Sequence, residues 1–169
     1  MFKKENTLLG LGEIQIDDTT IGYTRGGSEF TVKRTTHPIK ADGDRGTHVD
    51  SVLVDQEVAT LKTNFIELIP ENIAKIVPAM ASSTATGTTT LAPTFKILAS
   101  DYHKVTWIGK TKGGTAVKII LNKAINLTDI KWTMKEKDEV VQSAEFEACY
   151  NEETDLSTYT APYSITYAA

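Results

Sequence analysis

The sequence predicts a mainly β protein, a sandwich or barrel of about eight to ten strands with one short flanking helix at about residues 70–78. Over most of the chain, β-branched and aromatic residues alternate with polar ones, which is the pattern of strands with one buried face. Only one segment has apolar residues at helical spacing. The length of 169 residues suits one domain, so we expect residues 1–169 to form a single unit.

The strongest strand signal covers residues 49–68, which contain neither Gly nor Pro. Its apolar residues do not keep one phase: Val52, Val54 and Val58 share one face, whereas Ala59 and the alternate residues after it lie on the other. Because side chains alternate strictly along a strand, the buried face has to switch at about this point. We expect either a bulge or a passage from one environment to another.

A short helix is predicted directly after this strand. Pro70 suits the first helical position, and Glu71 suits the positive end of the helix dipole. Pro78 marks the end of the helix. The residues expected to pack against the core form one apolar stripe, which consists of Ile69, Ile73, Ile76 and Val77.

Strand patterns recur on both sides of this region. The predicted strands are 10–16, 20–24, 28–35, 95–99, 105–110, 114–122, 124–134, 140–150 and 163–167. Between the first of them we expect turns at Asp17–Asp18–Thr19 and at Gly26–Gly27, because these residue types favour tight turns.

Two long polar segments interrupt the strand pattern. Residues 36–48 contain two glycines and one proline between two strong strand signals, which favours a hairpin with a long tip. Loops longer than about twelve residues are uncommon unless they have a function, so we interpret residues 36–49 as a contact arm. Residues 81–92 are small and polar, and we expect a flexible connector that is mobile or partly extended.

Composition excludes several classes of function. The net charge of −4 argues against a protein that grips the phosphates of nucleic acid, although DNA could still pass along it. Cys149 is the only cysteine, so an intrachain disulfide and a zinc site built on cysteine pairs are excluded. No apolar run approaches the roughly 18 residues of a membrane span, and the first residues lack the apolar part of a secretion signal. We expect synthesis in the cytoplasm.

Enzyme and ion-binding motifs are incomplete. Gly109–Lys110–Thr111 has the end of a phosphate-binding loop, but that motif requires Gly where this chain has Lys104. Residues 42–46 begin like a calcium loop and then lack its third acid. We therefore predict no enzyme activity, no cofactor and no metal site, although a metal shared by His37 and His48 is an alternative.

One internal similarity has two explanations. Residues 21–30, IGYTRGGSEF, resemble residues 108–117, IGKTKGGTAV. Either strand–Gly–Gly–strand hairpins converge on similar sequences, or the two halves of the chain derive from a distant duplication.

The order of features in the first half resembles the major tail tube proteins of long-tailed (siphovirus-like) bacteriophages and related prophages. A short strand precedes IGYTRGGSEFTVKR at 21–34, followed by the polar arm ADGDRGTHVD at 41–50 and by EVATLKTNFIELIPENIAKIVPA at 57–79. The resemblance covers about residues 11–80, and the second half contributes only the continuing β pattern. It implies a tail-tube-like sandwich or barrel whose subunits close into rings, expected to be hexameric, around a channel for double-stranded DNA.

The resemblance also assigns roles to residues. The loop that reaches the neighbouring ring corresponds to Lys40, Ala41, Asp42, Gly43, Asp44, Arg45, Gly46 and Thr47. The strand that serves the inner sheet and assembly carries Val52, Val54, Gln56, Val58, Thr60 and Lys62. On the inner face, neutral polar residues such as Thr60 suit passing DNA, whereas Lys62 would be a departure.

The expected function is structural. Rings stack into the tail tube of the virion, which is assembled in the host cytoplasm and conducts DNA during ejection. The implied partners are the protein itself, the tape measure protein and the tail terminator protein, without a membrane. Two alternatives remain: a tube protein of a contractile injection machine, such as a bacteriocin or type VI secretion system, and a monomeric β-sandwich that binds a ligand.

Overall fold

The computed structural model describes residues 3–150 and 161–168. Its elements in chain order are η1 Lys4–Asn6, β1 Leu8–Ile16, β2 Thr19–Thr20, β3 Thr24–Pro38, β4 Val52–Phe65, α1 Pro70–Ile76, β5 Met80–Ala85, β6 Thr88–Pro93, η2 Ala99–Asp101, β7 His103–Thr111, β8 Ala116–Asn126, β9 Gln142–Ala148 and β10 Tyr163–Tyr167. Among these residues, no helix has the length and apolar character needed to cross a membrane.

Eight of the strands form one antiparallel sheet in the order β2–β1–β7–β8–β9–β4–β3, with β10 pairing with β8. β5 and β6 form a separate two-stranded ribbon. Along the same edge of β8, Leu121 pairs with Tyr163 in β10 and Ala124 pairs with Ala148 in β9. The predicted fold class, mainly β with about ten strands and one short helix, is confirmed.

The sheet curls until β1 and β3 come into contact, and the core lies inside the curl. Alternate residues of the central strands point into this core, among them Ile14, Ile16, Leu61, Phe65, Val105, Leu121 and Phe146. The rings of Phe65 and Phe146 meet edge to face, with their centroids 6.4 Å apart. The core is therefore built by period-2 burial from most strands of the large sheet.

The helix closes one end of the core. It begins at Pro70 as predicted, and Ile73, Ile76 and the following Val77 are buried. The buried side chain of Asn126 donates a hydrogen bond to the carbonyl oxygen of Ile76 at 2.8 Å, which ties the helix to the end of β8. The predicted packing of Ile69 is wrong: this residue lies before the first helical turn in extended backbone, so its side chain is 44% exposed.

The predicted flexible connector at 81–92 is a β-hairpin. Thr86 and Gly87 both have positive φ angles, as a two-residue hairpin turn requires, and β5 pairs with β6 from Met80–Pro93 to Ala85–Thr88. Threonine is β-branched and favours strands even where both faces are polar. The connector prediction was wrong because it weighed small and polar composition above this propensity.

Three other predictions are corrected. Residues 95–99 are not a strand, and of the predicted strand 124–134 only 124–126 are one, as the end of β8. Gly26 and Gly27 do not form a hairpin turn but lie within β3, where their positive φ angles coincide with a shift of register against β4. The similar segment 108–117 does contain a true turn between β7 and β8, so the two similar sequences have different structures.

The two ends of the curled sheet differ. α1 follows the last residue of β4 and contacts the last residue of β8, and the β5–β6 ribbon follows α1; we call this the helix end. The loop between β3 and β4 and the turn between β7 and β8 lie at the opposite end, because these strands are antiparallel to their neighbours. We call this the arm end.

Candidate assembly surfaces

The hairpin of β3 and β4 extends beyond the core and forms a projecting arm, defined here as residues 36–54. Every residue of β4 from Val52 to Gln56 is exposed, so neither face of this part is covered in the monomer. Several exposed residues of the arm are large and apolar: Ile39, Val49, Val52, Leu53 and Val54. Clustered apolar exposure on an uncovered β-hairpin is typical of an interaction surface.

A bulge at Asp55 sets the orientation of the arm. Thr35 pairs with Gln56 and Thr36 pairs with Val54, which leaves Asp55 without a cross-strand partner. The predicted switch of face is therefore confirmed as a bulge, three residues before the expected position. Because of the extra residue, Val54 lies on the same side of the hairpin as the core residue Ala59.

The bulge also divides the predicted assembly strand. Val52 and Val54 continue the core-facing side, whereas Gln56, Val58, Thr60 and Lys62 lie on the other side. The prediction that Val52, Val54 and Val58 share one face is wrong because it counted alternation through the bulge.

The outer side of β3, β4 and β9 is polar and carries both signs of charge. Lys62 lies directly between Glu29 and Glu145 on the neighbouring strands, and Thr60 lies between Thr31 and Glu147. The charged residues of this side in the three strands are Glu29, Lys33, Lys62, Glu145 and Glu147. Carboxylates thus outnumber ammonium groups, and Lys62 is flanked by two of them.

The predicted contact loop at the tip of the arm is held by its own hydrogen bonds. The Asp44 carboxylate accepts the Ala41 backbone N–H at 2.7 Å and lies 3.0 Å from Nε2 of His48. These two bonds, the first above all, lower the pKa of Asp44. The eight residues Lys40 to Thr47 are all exposed except the half-buried Asp44, so they are available for contact.

The histidines flanking the arm loop have separate partners. His37 Nδ1 lies 2.5 Å from the Asp55 carboxylate, whereas His48 contacts Asp44. The structure therefore does not bring His37 and His48 onto one shared carboxylate. In residues 3–150 and 161–168, no group of three or more His, Cys, Asp or Glu side chains is placed to hold a metal ion.

At the base of the arm, a cleft of about 1010 Å³ separates β10 from the outer half of β4. Within the described ranges, β10 pairs only with β8, so β10 and β4 are joined by side chains. Tyr163 donates its hydroxyl to Glu57 Oε1 at 2.6 Å, and Arg34 forms an ion pair with the same carboxylate. Tyr150 donates to the Glu57 carbonyl oxygen at 2.8 Å.

The hydrogen bonds within this cluster shift the pKa values of Glu57 and Tyr163. The hydrogen bond from Arg34, followed by that from Tyr163, lowers the pKa of Glu57. The hydrogen bond to Glu57 raises the pKa of the Tyr163 hydroxyl. The charged carboxylate is thus the form that holds β3, β4 and β10 together.

A second opening lies on the seam where β1 approaches β3. This seam pocket has a volume of about 250 Å³ and is lined mainly by apolar side chains: Leu8, Leu9, Phe30, Leu61, Trp107 and Ile119, together with Gly10 and Ser28. Leu8 pairs with Thr111 at the β7–β8 turn, so the pocket lies toward the arm end of β1.

Sequence reasoning missed Phe95, which is 93% exposed at the helix end. Its φ angle of +56° lies in the left-handed region, which bulky residues rarely occupy. Ile97 and Leu98 beside it are also exposed. The apolar positions 95, 97 and 98 do not alternate, and this break in period was the signal against the predicted strand.

The one cysteine does not have the environment of a reactive thiol. Burial, followed by the nearby Glu147 carboxylate, raises the pKa of Cys149. A raised pKa reduces the thiolate fraction at neutral pH.

Comparison of the sequence with described protein families and with curated proteins found no match. The fold and its exposed surfaces define a mainly β protein with a projecting hairpin arm at one end and a helix with an exposed aromatic residue at the other.

Proposed function

We propose that this chain is a tail tube subunit of a long-tailed bacteriophage or prophage, which polymerises as stacked rings into a conduit for DNA. The observation that carries the proposal is the arm: a β-hairpin that leaves the core, exposes apolar residues on both faces and ends in an internally bonded loop. A monomer gains nothing from such a projection, whereas a neighbouring copy can cover it.

The amount of exposed surface supports assembly. The chain exposes 11760 Å², whereas a compact monomer of 18.5 kDa is expected to expose roughly 8,200 Å². Obligate interfaces bury about 2,000–5,000 Å² summed over both partners, or about 1,000–2,500 Å² per chain, so the difference of about 3,500 Å² exceeds what one such interface buries on each chain. The protein therefore has enough surplus surface to form extensive contacts with other copies of itself.

The charge pattern suits a passage for DNA. On the outer side of the β3–β4–β9 region, Lys62 lies between Glu29 and Glu145 on the neighbouring strands, and Thr31 and Thr60 are neutral. If this side lines the channel, phosphates meet no excess of positive charge, and the net charge of −4 acts in the same direction. Such a wall guides DNA without binding it. Hexameric rings, and tape measure and tail terminator proteins as partners, belong to the same proposal.

Electron microscopy of the purified protein tests this function. We expect rings or tubes by negative stain at high protein concentration. Deleting 41–47 should leave a folded protein by circular dichroism that forms rings without stacking them, because the loop tip is the part that reaches farthest from the core. Normal stacking of this deletion would contradict the role of the loop.

A pair of point variants separates the arm from general surface effects. Val54→Asp places a charge on the exposed arm and should prevent assembly without loss of monomer stability, since Val54 is 57% exposed. Leu127→Asp places the same charge on a similarly exposed residue outside the arm and should assemble normally. A wild-type protein that stays monomeric at every concentration would overturn the proposal and favour a monomeric binding module.

A further inference from the structure

Phe95 has the features of an anchor residue. It is 93% exposed, its backbone has a φ angle of +56°, and among the described residues it forms no ring–ring contact. The backbone N–H of Thr94 donates to the Ala79 carbonyl oxygen at 2.8 Å, so the residue before Phe95 is fixed to the segment after α1. An exposed aromatic side chain on a strained, anchored backbone points to a function outside the monomer.

The seam pocket has the size and chemistry of a socket for an aromatic ring. Its volume of about 250 Å³ exceeds the roughly 150 Å³ of an apolar cavity that binds benzene. The lining side chains of Leu8, Phe30 and Trp107 are apolar, and only Ser28 adds a hydroxyl. Phe95 does not fill this pocket in its own chain, because its side chain is 93% exposed and is not among the residues that line the pocket.

We propose that Phe95 of one copy of this chain inserts into the seam pocket of a second copy. This inference rests on the proposed self-assembly and names the side chain and the socket that join successive copies. Phe95 is the knob of this contact and the seam pocket is the socket. Because they are different surfaces, a contact in which each copy inserts its knob into the next copy is heterologous and repeats from copy to copy. An open series of copies or a closed ring follows when each copy inserts Phe95 into the next copy, whereas a reciprocal exchange of Phe95 between two copies would give a two-fold dimer.

The available area is sufficient for this contact. A standard stable interface buries about 1,200–2,000 Å² in total. The chain exposes about 3,500 Å² beyond a compact monomer of its mass, and Phe95, Ile97, Leu98, Leu8 and Leu9 all contribute apolar exposure at the two surfaces. The exposed area beyond that of a compact monomer is therefore large enough for a head-to-tail contact of standard size.

The first test is Phe95→Ala, with Leu127→Ala as the matched control. Leu127 is also a large exposed apolar residue, 63% exposed, but it lies in neither surface. Light scattering coupled to size exclusion should show association weakened roughly thirtyfold or more for Phe95→Ala, as for loss of an anchor residue. Leu127→Ala should associate as the wild type does. Unchanged association of Phe95→Ala would overturn the inference.

The second test fills the socket. Gly10 lines the pocket, and a Cβ there meets nothing within 4 Å, so Gly10→Leu adds a large side chain at the pocket without an overlap at its Cβ. This variant retains its knob, whereas Phe95→Ala retains its socket. Each alone should stay monomeric, but an equimolar mixture should give a one-to-one complex of about twice the monomer mass, because one intact knob then meets one intact socket.

The outcomes separate this inference from the proposed function. A mixture that stays monomeric, although both variants are folded by circular dichroism, would overturn the knob and socket. Wild-type assembly together with normal assembly of both variants would overturn the knob and socket and leave the tail tube proposal intact. Failure of the wild type to associate at all would overturn both.

Discussion

At the scale of single residues, the Trp107 side chain requires neighbours without a Cβ on two strands. Its indole lies against Gly12 on β1 and Gly109 on β7, and a Cβ at either glycine would overlap the ring. Neither glycine has a positive φ angle, so the requirement is for space rather than for backbone freedom. The glycines allow a large aromatic side chain to lie flat across two strands next to the seam.

The first prediction follows from this contact. Gly12→Ala should displace the indole and lower the free energy of unfolding by about 1–3 kcal/mol, as expected for overpacking. Urea denaturation measures the change. Gly10→Ala on the same strand is the control and should have little effect, because its Cβ meets nothing within 4 Å. Equal stability of both variants would mean that Trp107 moves aside freely.

Individual core residues were predictable because burial follows alternation. Ile14, Ile16 and Phe146 lie on the inward phase of well-formed strands, and the structure buries all three. The orientation of Val52 and Val54 was not predictable in the same way. One extra residue at Asp55 reverses the phase, and the sequence showed that a reversal was needed without showing where.

At the scale of elements, the joint between β4 and β10 differs from the rest of the sheet. The paired strands of the sheet share main-chain hydrogen bonds, whereas this joint depends on Glu57 with Arg34 and Tyr163. Side-chain bonds to a charged group are sensitive to pH, because protonation removes the charge that both partners recognise.

The second prediction concerns this sensitivity. The pKa of Glu57 is lowered by folding, so its stabilising effect is present above the ordinary pKa of a carboxyl group and is lost as the pH falls through the lowered value. Glu57→Gln should therefore be less stable than the wild type at neutral pH, and the difference should shrink as the pH falls. Urea unfolding at a series of pH values measures it.

A matched carboxylate provides the control for Glu57. Glu136 is exposed in the segment between β8 and β9, and Glu136→Gln should match the wild type at every pH. A difference between Glu57→Gln and wild type that stays constant with pH would show that the Glu57 charge is not what holds β10.

Among elements, the helix was easy to predict and the ribbon was not. Pro70, a short apolar stripe and Pro78 define α1 at both ends. The β5–β6 ribbon has no buried face in its outer part, so hydrophobic alternation, the main sequence signal of a strand, is missing there. Only the β-branched threonines and the Thr86–Gly87 turn indicated it.

At the scale of the whole molecule, the large exposed surface and the difference between the two ends of the sheet both favour assembly. A protein that exposes about 3,500 Å² more than a compact monomer is expected to be more stable when that surface is covered. The exposed arm and the exposed Phe95 lie at opposite ends, so covering one leaves the other available. The sequence indicated assembly through its long strand, but the pairing of ends required the three-dimensional arrangement.

The third prediction follows from mass action. Only folded chains associate with one another, so association stabilises the folded state. The melting temperature of the wild type should therefore rise with protein concentration. A concentration of about 100 times the dissociation constant corresponds to about 2.7 kcal/mol of added stability. Differential scanning calorimetry over a wide range of concentrations measures the rise, and Phe95→Ala should lack it. A wild-type melting temperature independent of concentration would contradict assembly.

Asp55 separates the core from the outer part of the β3–β4 hairpin. A change in the length of this outer part therefore leaves the packing of the core unchanged. Adding or removing two residues on each strand would alter the reach of the projection while Val52 and Val54 keep their orientation. An odd change on one strand would turn them to the opposite side and expose the wrong residues to a neighbour. Natural variants of this chain are therefore expected to differ in reach by even steps, so that spacing between copies can evolve without redesign of the subunit interior.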